Sequence, residues 1–440
     1  HLIIWTMIPS LTNSNLPLDT IEALAWGSNL DWGFNKHPPM SAFVIELFYQ
    51  IFGNRDWAYY FLSQIFILSA FFIIFKFAED FFENKKLAFL SVLLLEGIFF
   101  YNFTSPEFNV NVCQIPFWAA SIYFAWKCFK TDKLINYIFL GLSIGLGVLS
   151  KYLFIYLIIG IKLFFIFLIF KKKKIKILRL FISGILAFTI LLPHIIWLVE
   201  NEFSTITYGF GRTGGPGEFL DHLLYPIVLL SKQLGILIPF LIMSSILVKR
   251  FKFKINFKDE KFVFLFFVFI TPILLIFVTS LLAGVKIRTM WMTPFYLFSG
   301  VFIIYFFKKN LISEINKKFI FFFFFFFFLS PITYGGFSII DKTKRTDYPG
   351  KEIAYLVQGK WDKNFRNDIK IVIGDEWYAG NLSYHLNARP KWMQTLNNDL
   401  STLSSEGGII YTGNPEILKK VCPGVYGTIK PVGYCMIGIK

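Results

Sequence analysis

Charge is scarce in this chain: Asp, Glu, Lys and Arg together make up 16% of its 440 residues, and only 28 of them are acidic. Cysteine is scarcer still. Four residues do not make a disulfide scaffold. Cys113 and Cys128 share one apolar segment, while Cys422 and Cys435 lie near the C-terminus and can pair if that end is extracytoplasmic. There is no internal repeat and no low-complexity linker, which excludes solenoid and disordered architectures. Neither a Walker motif nor a dinucleotide fingerprint occurs, so no nucleotide-binding step is written in the sequence.

What is present is apolar. Hydrophobic residues reach 55% and mean hydropathy is +0.57. The apolar residues fall in repeated runs of about 20, the length a helix rising about 1.5 Å per residue needs to cross hydrocarbon. Phenylalanine reaches 57 residues, in keeping with an AT-rich coding bias. The eight-residue run Phe321 to Phe328 takes its meaning from its neighbours, as part of a membrane span. The segment of residues 1–9 reads as the end of a first helix. Further runs lie near 58–78, 87–103, 110–127, 135–150, 153–170, 177–199, 222–248, 262–283, 290–307 and 319–337. The expected fold class is therefore an all-α polytopic membrane protein of about eleven transmembrane helices, residues 1–337, with a small C-terminal α/β domain at 338–440. In that domain, strand-like runs at 369–373, 408–411 and 434–439 alternate with helix-like ones at 350–358, 376–386 and 415–421.

The net charge of +16 raises the question of nucleic acid, and the positions of the basic residues answer it. They stand in short blocks between apolar runs: Lys76, Lys85 and Lys86; Lys127, Lys130 and Lys133; Lys171 to Lys174 with Lys176 and Arg179; Lys249 to Lys261; and Lys308, Lys309, Lys317 and Lys318. These blocks occupy every second loop. That is a topology signal, which puts those loops in the cytoplasm. The opposite loops hold only Lys36, Arg55, Lys151, Arg212, Lys286 and Arg288, and the parity places the tail outside. It requires two short helices meeting at Ser150-Lys151; a single crossing there would invert everything downstream. No nucleic-acid partner is expected.

The polar information gathers in the outward loops. The first, residues 10–57, carries Asp19, Glu22 and Asp31, then Lys36-His37-Pro38-Pro39. Asp19 and Glu22 are three apart and share a face on a helix. Pro38 and Pro39 suit the first turn of a helix at Met40 to Phe52, too short to span and closed by Gly53, so it is expected along the interface. By spacing alone, Asp19 reads as the cap of a loop helix or as a general base at the membrane surface.

An acidic residue after a first membrane helix, followed about 17 residues on by K-x-P-P opening an interfacial helix, resembles glycosyltransferase family 39 of the GT-C membrane transferases. That group includes protein O-mannosyltransferases and lipid A aminoarabinose transferases. Other segments agree in order: FNVNVCQIPFWA, GLGVLSKY, PHIIWLVENEFSTITYGFGR, GVKIRTMWMTPFY and, in the tail, RTDYPGKEIA and GDEWYAGNLSYHLNARP. The resemblance covers nearly the whole chain. It implies sugar transfer from a polyprenyl-phosphate donor to a lipid, glycan or protein acceptor on the periplasmic face of a bacterial inner membrane.

Such a transfer needs a base for the acceptor and cations for the leaving phosphate. Asp19 matches the family's catalytic acidic position. Many members place a second acid beside it, whereas this chain has Thr20, so Glu22 is the candidate second carboxylate. For phosphate, the candidates are Lys36, Arg212 and Arg288, then Lys286 and Lys151, each with lipid-headgroup snorkelling as the plain reading. His37, Glu107, Asn109 and Tyr208 are candidate substrate contacts, with Glu107 alternatively a cap at the start of the fourth span. No metal or other cofactor is expected, although His37 and His222 are outward and would be the histidines to join one. Glu96 reads as an interhelical hydrogen-bond acceptor and His194 as a packing residue.

In the tail, Asp375, Trp377, Tyr378 and Asn381 read equally as a sugar platform or as a strand-to-helix turn, and Asn381-Leu-Ser383 matches a glycosylation sequon. The rival from another class is a transporter or flippase of lipid-linked sugars. It would place broken or charged helices at mid-membrane and show repeat symmetry.

Overall fold

The computed structural model describes all residues except 174, 215, 216, 253, 254, 312–316 and 396–406, so Lys174 and part of the Lys249 to Lys261 block lie outside the described residues. The chain runs through α1 (Leu2–Thr12), α2 (Leu18–Gly27), α3 (Met40–Phe52), α4 (Asp56–Phe82), α5 (Lys85–Leu93), α6 (Val110–Thr131), α7 (Leu134–Ser150) and α8 (Ile155–Phe170). It continues through α9 (Ile177–Glu200), α10 (Ser204–Thr213), α11 (Asp221–Leu247), α12 (Glu260–Leu265), α13 (Thr271–Ala283), α14 (Ser299–Phe307) and α15 (Lys317–Ile340).

Each apolar run of the sequence contains helix, yet they are not equivalent. Among the described residues, six helices are long and apolar enough to cross a membrane, and a seventh is formed by Thr289–Tyr296 and Ser299–Asn310 bent by 49°. The rest of the expected eleven are short, polar or broken, for identifiable reasons. Helix α6 buries Asn111, Gln114 and Ser121 in the middle of the bundle. The run at 87–103 leaves α-helix at Leu94 and continues as two tight turns, Leu94–Gly97 and Phe99–Tyr101. There Gly97 lies against the main chain of α11, where a Cβ would come within 2.7 Å of Phe240. Glu96 beside it is buried 2.8 Å from His1, the neighbouring-helix partner its position called for. Between α12 and α13, Phe266–Ile270 forms a π-turn just before Pro272, whose missing N–H removes one α-helical bond.

The junction at Ser150-Lys151 is a true break. Helix α7 ends at Ser150, Lys151 is extended, and a new helical stretch starts at Tyr152. A helix stands at Met40–Phe52 as the sequence suggested, with Pro39 before its first residue and Gly53 after its last, and its Leu47 and Ile51 are exposed.

The loops sort into two ends. At one end the basic blocks are bridged by acids: Lys130 and Lys173 both reach Glu260 (3.5 and 2.6 Å), Lys176 and Arg179 reach Asp132 (3.1 and 3.3 Å), and Lys127 pairs with Asp80. The alternate loops meet at the other end, together with the tail.

The tail contains α16 (Gly350–Asn364), β1 (Ile369–Ile373), α17 (Tyr378–His385), β2 (Lys391–Met393), β3 (Gly408–Gly413), α18 (Pro415–Val421), β4 (Val425–Ile429) and β5 (Val432–Ile437). The sheet order is β2-β1-β3-β5-β4, with β1 parallel to both neighbours and the β3–β5 and β5–β4 pairs antiparallel. Every strand-like and helix-like run read from the sequence is present; β2 and β4 are additions. Cys422 and Cys435 form a disulfide.

The tail is clamped to the first loop region. Arg389 reaches Glu46 at 2.8 Å and the Leu24 carbonyl at 2.7 Å, and lies 4.0 Å from the Tyr49 ring centre. Tyr384 donates to Asp56 at 2.6 Å, and Asn15 bonds both Asn381 and His385. Helix α17 lies on α2 through Gly380, where a Cβ would meet Ala25 at 3.0 Å.

Candidate active site

The site is built around the start of α2. Pro17 precedes its first residue and leaves Asp19 in the first turn, without a side-chain cap of its own. The end is closed instead from the loop before α6. The Asp19 N–H donates to Glu107 Oε1 at 3.0 Å, and the Thr20 hydroxyl donates to the Phe108 carbonyl at 3.1 Å. The plain reading of Asp19 as a cap therefore fails, and so does that of Glu107 as the cap of the fourth span. Asn109 caps α6, its Oδ1 accepting from the N–H groups of Asn111 and Val112 at 2.9 and 3.1 Å. Its side-chain carbonyl is thus engaged as a cap, and the residue borders the cavity with Asp19, Glu22 and His37.

Four further elements supply the surroundings. Lys36, from the loop before α3, sits 2.9 Å from Glu22 and 3.2 Å from Glu376 of the tail. Lys151, at the α7 break, is buried, bonds Asn111 and lies 5.1 Å from the Trp291 ring centre. Arg212, in the last turn of α10, stands 5.9 Å from the ring of Tyr208, which in turn meets His37 edge-on at 6.2 Å.

Burial raises Asp19 above its ordinary carboxylate value, and Lys151, Lys36, Arg212 and Arg345, in that order, pull it back. Glu107 is pushed up to about 8, by burial first and the Asp19 charge second, so it holds its proton at neutral pH. Burial also raises Glu22 against the pull of Lys36. It lowers Lys151 to about 7, offset only by Asp19, and with the nearby cations it lowers His37 to about 3. Lys151 is thus a buried cation with no carboxylate within ion-pair distance among the described residues, an arrangement that favours an incoming anion.

Asp19, Glu22, Lys36, His37, Glu107, Lys151, Tyr208 and Arg212 therefore converge as the sequence suggested. Lys286 and Arg288 do not join them in the same way. Both are exposed, Lys286 bonding the Thr213 carbonyl through its main chain at 3.0 Å, and the fourth cation acting on Asp19 is Arg345. Arg345 and Glu376 escaped the sequence reading. Their segments, RTDYPGKEIA and GDEWYAGN, were visible as motifs, but only the folded tail carries them to the site.

Asp375 caps α17, accepting from the N–H groups of Trp377 and Tyr378 at 2.9 and 2.8 Å, while both aromatic rings pack on Tyr348. The turn reading holds there. Asn381 is 1% exposed, closed off as a glycosylation sequon. His194 is a packing residue, bonded to the Trp32 carbonyl at 2.6 Å and Tyr152 at 2.7 Å. His222 bonds the Leu281 carbonyl, far in role from His37, and no group of three His, Cys, Asp or Glu residues suited to a metal occurs among the described residues.

The cavity between Asp19, Glu22, His37 and Asn109 measures about 10 Å³, room for about one water. A groove of about 560 Å³, lined by Leu18, Phe103, Glu107, Tyr334, Phe337 and Arg345, opens at the start of α2 and the end of α15.

Residues 36–197 match the protein family described as dolichyl-phosphate-mannose-protein mannosyltransferase. Among curated proteins, the chain is 32% identical over 155 residues to the undecaprenyl phosphate-alpha-4-amino-4-deoxy-L-arabinose arabinosyl transferase of Wigglesworthia glossinidia brevipalpis, covering 33% of this chain and 27% of that one. It is 27% identical over 184 residues to a probable poly-beta-1,6-N-acetyl-D-glucosamine export protein of Staphylococcus aureus strain Mu50, covering 40% and 50%. To the lipid A galacturonosyltransferase RgtD of Rhizobium johnstonii it is 22% identical over 194 residues, covering 43% and 40%. The chain thus spans half or less of the length of each of these relatives.

The fold as a whole is shared with ArnT from Cupriavidus metallidurans. TM-scores are 0.65 for its apo state and 0.64 for the state bound to undecaprenyl phosphate, at 10% and 11% identity, covering 99% of this chain and 96% of that one. The chain is an integral membrane protein that shares the fold of ArnT and, over residues 36–197, is similar to the dolichyl-phosphate-mannose-protein mannosyltransferases.

Proposed function

We propose that the protein is an inverting glycosyltransferase that moves a sugar from a polyprenyl-phosphate donor to an acceptor on the periplasmic face of the inner membrane. The observation that carries this reading is one carboxylate, Asp19, acted on by cations from three separate loops, Lys36, Lys151 and Arg212. Asp19 takes the proton of the acceptor hydroxyl or amine as that atom bonds to the anomeric carbon. The bond from that carbon to the phosphate oxygen breaks, and its electron pair leaves with the prenyl phosphate toward the three cations. A carboxylate raised above its usual value is a stronger base, provided neighbouring cations keep it ionised, and both conditions apply to Asp19. Glu22 and Glu376 hold Lys36 until the phosphate replaces them. The Cys422–Cys435 disulfide supports an oxidising compartment for the tail.

The likeness to the staphylococcal export protein favours a second reading, passage of a lipid-linked sugar across the membrane. Reconstitution separates the two. Proteoliposomes supplied with a polyprenyl-phosphate sugar are expected to form glycosylated acceptor. Translocation of the lipid without any transfer would remove the enzyme reading.

Lys151 gives this mechanism a pH signature. Its value near 7 in the free protein means the ammonium is present below pH 7 and lost above it. The kcat/KM for donor is expected to fall as pH rises through about 7 in the wild type, while Lys151→Arg, charged throughout, loses that limb. A profile identical in the two proteins would take Lys151 out of phosphate binding.

A further inference from the structure

Trp26 of α2 and Ser41 of α3 also line the cavity shared by Asp19, Glu22, His37 and Asn109. Trp26 is 2% exposed and Ser41 is fully buried. Neither the indole N–H nor the hydroxyl has a hydrogen-bond partner among the described residues. A buried donor left unpaired is costly, and two of them on one cavity call for an acceptor inside it.

The carboxylates that share the cavity are equally uncommitted. No described residue donates to the side chain of Asp19, and Glu22 engages Lys36 through Oε1 alone. The cavity therefore offers two donors and two acceptors, the full complement of one water molecule. Its volume of about 10 Å³ agrees, since that is the room one water needs. Other occupants suit the set less well. An indole N–H only donates, which repels a metal cation, and the two carboxylates repel an anion. Asn109 already spends its side-chain carbonyl on α6, and His37, held neutral by burial and the nearby cations, adds no charge.

We propose that this cavity holds one ordered water, fixed by Trp26 and Ser41, that orients the Asp19 carboxylate for proton abstraction. The inference rests on the reading of Asp19 as the base. A general base is effective when a further group fixes its orientation, and among the described residues no side chain does so for Asp19. The water accepts from Trp26 Nε1 and Ser41 Oγ, and it donates one hydrogen to Asp19 and the other to Glu22. One oxygen of Asp19 is then pinned, and the other is left for the acceptor. Through Glu22 the same water ties the base to Lys36, 2.9 Å from that carboxylate. Trp26 and Ser41 touch the water and not the substrate, so they are positioning residues.

A hydrogen bond to a carboxylate favours its charged form, so loss of the water raises the pH at which Asp19 takes up a proton. Lys151, Lys36, Arg212 and Arg345 favour the same charged form, and Glu107 and Glu22 are the acids beside it. None of these is altered in Trp26→Phe, which also keeps a ring on Phe34 and His37, or in Ser41→Ala.

The test has a structural and a kinetic part. A structure of the donor-free full chain, at a resolution that shows buried waters, is expected to hold one water in the cavity and to lose it in the doubly substituted protein. In proteoliposomes with a polyprenyl-phosphate sugar, each single variant is expected to lower kcat about tenfold with KM for donor unchanged. The acid limb of its pH profile is expected to move up by about one unit. A merely structural role would scale kcat and leave that limb in place. A wild-type cavity without water overturns the site, and an oxygen that appears only with donor bound gives the cavity to substrate and overturns it too. An acid limb unmoved in both variants removes the water from orienting Asp19. The water is read without sugar transfer, so a failure of the transferase reading remains separately visible.

Discussion

Asp19→Asn is expected to lower sugar transfer about 10²–10⁴-fold while leaving donor binding within a few-fold of wild type. The amide has nearly the shape of the carboxylate and cannot take a proton at the working pH. The substitution should not disturb the first turn of α2, because Glu107 holds that turn through the main-chain N–H of residue 19 and Thr20 holds it through the Phe108 carbonyl. The loss should appear in kcat, since the acceptor proton moves only during reaction. Turnover in proteoliposomes, with donor affinity measured separately, reads both quantities. Equal turnover in the two proteins would remove Asp19 from the role of base.

The second large effect concerns the clamp between the tail and α3. Glu46 and Arg389 pair at 2.8 Å with side chains only 10% and 13% exposed. Glu46→Ala leaves the guanidinium buried against Tyr49 with the Leu24 carbonyl and the Ser383 hydroxyl, and no carboxylate, to receive its charge. Breaking one partner of such a pair costs about 3–5 kcal/mol, more than the pair itself contributes. A lower melting temperature and faster proteolysis within residues 338–440 are the expected readouts. Adding Arg389→Met to Glu46→Ala should recover part of the loss, because the orphaned charge is gone. A double variant as unstable as the single one would mean that the clamp acts through Tyr49 packing alone.

Much of this arrangement was legible from local pattern. The K-x-P-P segment announced α3, alternating basic blocks foretold the two ends, and the break at Ser150-Lys151 followed from run length. The residues that stayed hidden depend on contacts between distant parts of the chain. Glu376 meets Lys36 across about 340 positions of sequence, and no periodicity records such a meeting. Arg345 gained its place because Thr346 is bonded to the start of the chain, not because of its neighbours. Hydropathy likewise counted residues 87–103 as one uniform span; it cannot register that Gly97 must yield to the main chain of α11 or that Glu96 needs His1. Arg288 was a candidate by its outward position, while the fourth cation acting on Asp19 is Arg345 of the tail.

Lys36 is shared between a carboxylate of the first loop and one of the tail. Docking of the tail and capture of an anion at that ammonium therefore form a single linked equilibrium. Linkage is reciprocal: an anion that draws Lys36 away from Glu376 weakens the seating of the tail by the same factor that a firmly seated tail weakens the anion. The soluble part of the protein is in this sense a built-in competitor, whose strength sets how much free ligand is needed to half-fill the site.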